Sequence, residues 1–308
     1  MKINEKLILP CGIEIKNRFL KSAMTEGLAG SNGVANKRHN NLYEKWANGG
    51  VGISVTGNVQ IDHRYIERAG NVVIEGEQSN ESLAALADWS HAGTQNNTHL
   101  WMQLSHAGRQ TPFSINKESA APSVQPLPTL GGILKFGVPK ELTHSEILDI
   151  VDGFVNAAEI AKQTGFTGVQ LHSAHGYLLS EFLSPNVNQR SDQWGGSIEN
   201  RSRLLLTVIE AIRNKVGNNY PISVKLNSSD FQKGGFTHEE SIEVAKILNN
   251  SSLDLLEISG GTYENFTALE IDSLNLKKAK TIKPQRSTKV REAYFLKYAE
   301  AIKNVLSI

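Results

Sequence analysis

Six short apolar runs recur along the chain, each followed by a longer stretch with helical spacing, and this alternation limits the possible folds more than any other feature. The runs cover residues 19–25, 51–56, 99–104, 168–172, 222–226 and 253–259. Each is rich in Val, Ile and Leu, and the apolar character is nearly continuous. Strands with one wet face alternate apolar and polar residues, whereas strands covered on both faces do not. The pattern therefore predicts βαβ units around a parallel sheet.

The start signals of the intervening helices have a mechanism. Thr143 with Glu146 and Thr237 with Glu240 match the capping box, in which each side chain satisfies an amide that the helix leaves without a partner. After the first box, Ile147, Ile150, Val151, Phe154, Val155, Ala158 and Ala161 fall on one helical face, so that helix packs on the sheet. Further helices are predicted over residues 36–48, 80–94, 198–216 and 289–306, the first closed by Gly49 and Gly50 and the third by Gly217. Residues 7–15 predict a small hairpin, turning at Pro10 to Gly12, that plugs one end of a barrel. The Pro-, Gly- and Ser-rich stretch 109–140 has neither period and is predicted as a loop excursion after the third strand. These elements fit one domain over residues 1–308, an α/β fold of the TIM (β/α)8-type barrel.

Hydrophobic residues make up 39% and charged residues 20% of the 308 positions, the balance of a soluble globular protein with a real core. With 32 basic against 31 acidic residues the net charge is +1, so nothing electrostatic calls for nucleic acid or an anionic membrane surface. Small-molecule partners are expected. The one cysteine, Cys11, excludes an internal disulfide, a cysteine-ligated zinc site and an iron–sulfur cluster. The N-terminal residues carry charges within their apolar part, which predicts neither a signal peptide nor an anchor and makes the cytoplasm the expected location.

In a parallel barrel all strands run one way, so reactive groups gather at their C-terminal ends. Thr25, Thr56, Gly57, Gln103, His106, His172, His175, Tyr177, Lys225 and Asn227 all lie at or just past predicted strand ends. Taken singly, a strand-end threonine is more often a turn or cap, and a lone His172 is more often a core histidine than a catalyst. A metal site at His172 and His175 is disfavoured, because no cysteine or paired carboxylate completes a ligand set; no metal is expected. Hydrogen bonding suits the pair better. Two imidazole nitrogens aimed at one point can hold a carbonyl oxygen and stabilise charge building on it, at about 3 kcal/mol for a well-placed donor. Tyr177 then stands as a proton donor. The charges of Asp192, Glu199, Arg201 and Arg203 are expected to tie a loop to a helix capped by Ser197.

Residues 172–203, HSAHGYLLSEFLSPNVNQRSDQWGGSIENRSR, resemble the strand-four signature of the Old Yellow Enzyme family of FMN-dependent NAD(P)H:flavin oxidoreductases. Residues 17–29, 50–59, 101–110, 222–231 and 258–264 are similar to further segments of that family in the same order, so the resemblance spans nearly the whole chain. It implies non-covalently bound FMN, with NAD(P)H as electron donor. It implies further that Ala23, Met24 and Thr25 line the isoalloxazine ring, that Gly57 lets the ring approach the backbone, and that Gln103 pairs with its pyrimidine edge. Lys225 would set a positive charge beside N1 and O2 of the ring. His172, counted with the cofactor site as well, and His175 would grip the substrate carbonyl. Hydride would pass from flavin N5 to the β-carbon of an activated alkene, such as an enone, quinone or similar electrophile, while Tyr177 gives a proton to the α-carbon.

The sequence departs from that family in one respect. A closed barrel of eight strands needs two more strand–helix units than the six predicted, so the expectation is a barrel truncated after the sixth unit. In the resembled family the seventh and eighth strands carry the loops that hold the FMN phosphate, and nothing after Gly261 offers a substitute. Losing a few charge-assisted hydrogen bonds at about 1.5–3 kcal/mol each would cut FMN affinity by several orders of magnitude. Two functions therefore stand side by side: an ene-reductase acting on small electrophiles, and a non-catalytic barrel remnant unable to retain FMN. The unpaired edges of an open sheet would also invite association, a homo-oligomer included.

Overall fold

A computed structural model of the protein describes residues 2–129, 134–264 and 295–307. It begins with a hairpin of β1 (Leu7–Ile8) and β2 (Glu14–Ile15), antiparallel, with Leu7 opposite Ile15. Gly12 makes the turn at φ 84°, in the left-handed region that glycine enters at little cost. Leu9 and Ile15 are buried against Ile53, Val55 and Trp101. The hairpin thus plugs the end of the barrel from which the strands start, as its sequence predicts.

The elements that follow are β3 (Leu20–Lys21), α1 (Lys37–Asn48), β4 (Ile53–Gln60), β5 (Val72–Val73), α2 (Asn80–Gly93) and β6 (His99–Ser105). Next come β7 (Glu118–Ala121), β8 (Val138–Glu141), α3 (His144–Gln163), β9 (Gly168–Ser173), α4 (Leu178–Leu183) and α5 (Ile198–Val216). β10 (Ile222–Asn227), α6 (His238–Leu248), β11 (Leu255–Ser259) and α7 (Leu296–Lys303) complete the described chain. The strands pair in the order β3-β4-β6-β9-β10-β11, every pair parallel, with the short β5 added to β4. This is the curled parallel sheet of a TIM-type barrel. Its six main strands are the six apolar runs, because a continuous apolar strand is stable only where helices cover one face and the barrel interior the other.

Among the described residues no strand follows β11. The two end strands meet instead through side chains: Ser22 Oγ donates to Glu257 Oε1 at 2.5 Å.

Helix starts and stops follow their caps. Glu146 N–H donates to Thr143 Oγ1 at 3.2 Å while Thr143 N–H donates to Glu146 Oε2 at 2.8 Å, and the box at Thr237 and Glu240 has the same form. On α3 the buried residues include Ile147, Ile150, Val151, Phe154, Ala158 and Ala161, with Val155 half-buried. The stretch 109–140 differs from its prediction. β7 and β8 pair in parallel there, Glu118 opposite Val138, and both are too short and irregular in pattern to announce themselves. Of the helix predicted over 289–306, residues 289–294 lie outside the described residues and Leu296–Lys303 is helical. No helix among the described residues is long and apolar enough to cross a membrane.

Candidate active site

Parallel pairing brings the strand tips to a common level. Lys225 on β10 lies beside His172 on β9, and Gln170 on β9 beside Gln103 on β6. β4 carries one extra residue between Val55 and Asn58 relative to β6. Thr56 Oγ1 accepts Gln103 N–H at 2.9 Å across this bulge, and Asn58 is thereby brought level with Gln103. Bulges near sites re-aim a side chain in this way.

The tips surround a cavity of about 240 Å³. Seven residues singled out from the sequence share its wall: Ala23, Thr25, Gln103, His172, His175, Tyr177 and Lys225. Two others stand apart. The Met24 side chain is 55% exposed, and the Gly57 backbone is approached by the chain itself: a Cβ there would lie 2.5 Å from Met24 O and 2.9 Å from Thr25 Cα. The glycine lets the tail of β3 cross β4 closely, which sets where Ala23 and Thr25 stand. His106 is buried elsewhere and stacks on Tyr65 at 4.9 Å. Asn227 has a supporting place, since its Oδ1 accepts His175 N–H at 3.1 Å. That bond holds His175 at φ 63°, a strained backbone for a residue with a side chain.

A line of hydrogen bonds crosses the site. His172 Nδ1 is 2.7 Å from Asn58 Oδ1, His172 Nε2 is 3.0 Å from His175 Nδ1, and His175 Nε2 is 2.6 Å from Ser259 Oγ. Burial pushes His172 far below the ordinary imidazole value, with the charges of His175 and Lys225 adding to the effect. His175 falls to about 3 for the same first reason, Lys225 adding again. Both rings are therefore neutral at neutral pH.

The Tyr177 O–H donates to Glu67, and its oxygen lies 2.8 Å from the Tyr263 oxygen. Burial, followed by the Glu67 charge, raises the Tyr177 phenol well above its ordinary value, so it keeps its proton.

Lys225 has company that the sequence does not announce. Its Nζ donates to Ser22 Oγ at 3.0 Å and lies 3.1 Å from Glu257 Oε1. Gln103 Nε2 donates to Gln170 Oε1 at 2.7 Å, and Gln170 Nε2 donates to Glu257 Oε2 at 2.9 Å. Glu257 thus offsets the ammonium charge and ties it to the amide of Gln103.

Sequence reasoning missed Asn58, Glu67, Glu257, Ser259 and Tyr263. Asn58 follows the glycine already singled out, and Ser259 and Tyr263 lie in the 258–264 segment that carried part of the resemblance. Glu67 had no sequence signal, since it lies in the irregular connection between β4 and β5.

The donor set matches a planar heterocycle bearing carbonyl oxygens and ring nitrogens: an amide from Gln103, an ammonium from Lys225, a hydroxyl from Thr25 and the small Ala23 face. Among the described residues Lys225 is the one basic side chain in the wall. The cavity lined by the described residues also falls below the roughly 300–1,000 Å³ of whole ligand pockets, so these described walls suit the ring of a flavin. Among the described residues, the one His, Asp and Glu group compact enough for a metal is Asp62, His63 and Glu75, outside this cavity.

Residues 10–292 match the profile of the NADH:flavin oxidoreductase / NADH oxidase family. The NADH-dependent flavin oxidoreductase iliE of Hypocrea jecorina (strain QM6a) is 32% identical over 311 residues, covering 96% of this chain and 75% of that protein. The cinnamate reductase of Clostridium sporogenes is 32% identical over 284 residues, covering 82% of this chain and 40% of that protein. Among solved structures, a 2-naphthoyl-CoA reductase in complex with 2-naphthoyl-CoA superposes with a TM-score of 0.82 at 27% identity, covering 98% of this chain and 44% of that one. The chain thus spans less than half the length of the last two.

Proposed function

The chain belongs to the NADH:flavin oxidoreductase / NADH oxidase family, and from that premise we propose that it is an ene-reductase that takes hydride from NAD(P)H and reduces activated alkenes, α,β-unsaturated carbonyls above all. FMN and NAD(P)H are the cofactors that membership brings. When bound, FMN supplies the hydride chemistry. Thr25, Gln103 and Lys225 would hold the polar edges of its ring, Ala23 would lie along it, and Gly57 keeps the tail of β3 close enough for it to do so.

The chain's own residues have two further tasks. The neutral imidazole pair supplies the N–H that holds the substrate carbonyl oxygen and stabilises charge building there. Tyr177 keeps a proton at its phenol oxygen and delivers it to the substrate carbon next to the carbonyl. The observation that carries this reading is the convergence of Tyr177, His172, His175, Gln103 and Lys225 on one cavity. The names of two relatives agree with the substrate class: cinnamate has an alkene conjugated with a carboxylate, and 2-naphthoyl-CoA is a conjugated thioester.

A second reading, a barrel remnant that does not retain FMN, is favoured by one observation: the one basic side chain in the described wall is already paired with Glu257. Purified protein decides between them. The ene-reductase reading expects flavin absorbance, released as FMN on denaturation, bleached by NADH or NADPH without oxygen and restored by an enone. A colourless protein that also fails to take up added FMN would establish the remnant. Association of copies, a homo-oligomer included, would need β3 and β11, the ends of the strand order among the described residues, to part from each other at the Ser22 to Glu257 contact.

A further inference from the structure

Glu67 stands outside the cavity wall, yet the phenol assigned to proton delivery and one amide of the wall both end on its carboxylate. Tyr177 donates its O–H there, and Asn58 Nδ2 donates to the same oxygen, Oε2, at 2.6 Å; Asn71 Nδ2 reaches Oε1 at 3.3 Å. A carboxylate has only acceptor sites. Asn58 must therefore turn its NH2 toward Glu67 and its carbonyl toward His172, 2.7 Å away.

The consequence runs down the line. Facing a carbonyl, His172 Nδ1 has to carry the proton, and in a neutral ring Nε2 is then a bare lone pair. Across 3.0 Å that lone pair needs a donor, so His175 carries its proton on Nδ1. His175 Nε2 then accepts the O–H of Ser259 at 2.6 Å. Every donor points toward Glu67. Tyr177 obeys the same rule: its single proton is committed to Glu67, so Tyr263 is the donor in the 2.8 Å contact between the phenols.

We infer that Glu67 is a positioning residue that sets the tautomers of His172 and His175 and the proton direction of Tyr177, so that the Nδ1–H of His175, given to His172 in this structure, is the imidazole proton a substrate carbonyl oxygen has to capture. His172 then acts by holding His175 and meets no substrate acceptor with a proton of its own. This refines the ene-reductase reading and rests on it for the word substrate, but the tautomers themselves do not.

The test is nitrogen NMR of the imidazole rings in the full chain, labelled on histidine, at neutral pH. The wild-type protein should show protonated Nδ1 and unprotonated Nε2 in both His172 and His175; a proton on Nε2 of His172 would overturn the assignment. Glu67→Leu removes the acceptor that orients Asn58, so a His172 Nε2–H signal should appear, whereas an unchanged pattern in the folded variant would also overturn it. Tyr177→Phe leaves the link from Glu67 to Asn58 intact and should keep the wild-type pattern; a shift of the His172 proton to Nε2 there would contradict the role given to Glu67. None of these readings needs flavin or turnover. Absence of ene-reductase activity with the stated tautomers present would remove the proposed function and leave the role of Glu67 standing.

Discussion

Replacing Tyr177 by Phe removes a single oxygen from the site and separates proton delivery from everything else the residue does. The ring is 4% exposed and packs on His172 at 4.6 Å between centroids, contacts that Phe retains. What is lost is the O–H to Glu67 and the contact with the Tyr263 oxygen. Glu67 keeps the amide donors of Asn58 at 2.6 Å and Asn71 at 3.3 Å, so it is not stranded. The stability cost should be about 2–4.5 kcal/mol, the value of one hydrogen bond to a charged group and one between neutral groups. The kinetic cost should be larger, about 10²–10⁴-fold for a missing general acid. Stopped-flow measurement of the two half-reactions tells them apart: reduction of bound FMN by NAD(P)H should be little changed, and reoxidation by an enone should slow by that factor. Equal slowing of both, or alkene reduction at the wild-type rate, would refute Tyr177 as proton donor.

Two further substitutions test the scaffold. Glu181 is 1% exposed; its Oε1 accepts Arg109 N–H at 2.8 Å and its Oε2 has no partner. Burial raises its carboxyl to about 8 against the pull of Arg109. A folded-state value above the unfolded one means that the folded form binds the proton more tightly. The protonated acid therefore favours folding below about pH 4.5, and this contribution drains away as pH rises to about 8, on the order of a few kcal/mol in all. Glu181→Gln should remove the dependence, so the stability difference between the two proteins, measured by urea unfolding across that window, should change with pH; a constant difference would show that Glu181 does not titrate there. Asp254 Oδ2 accepts Arg213 Nη2 at 2.7 Å and Ile222 N–H at 2.8 Å, and both charged side chains are buried. Asp254→Ala leaves the guanidinium without its counter-charge and should cost about 3–5 kcal/mol in denaturant, where a loss under about 1 kcal/mol would mean the pair behaves as a surface ion pair.

The amino-acid sequence by itself determined the parallel strand–helix alternation, because continuous apolar runs and capping boxes act over a few residues and need no distant partner. The boxes at Thr143 and Thr237 and the helix Ile198–Val216 could be read directly, and so could the seven residues whose strand tips share the cavity. Short β7 and β8 were not legible, since four-residue strands in a Pro- and Gly-rich stretch have no period to reveal them. Nor was the bulge at Thr56, which needs β6 beside it to exist and which turns Asn58 toward His172. Only the tertiary structure decided that Gly57 makes room for the chain's own backbone, that Glu257 answers Lys225, and that Glu67 receives both Tyr177 and Asn58. The physical reason is common to all three: a charge or a close approach is defined by its partner, and these partners lie between 9 and 110 positions apart in the chain, joined only when the sheet curls.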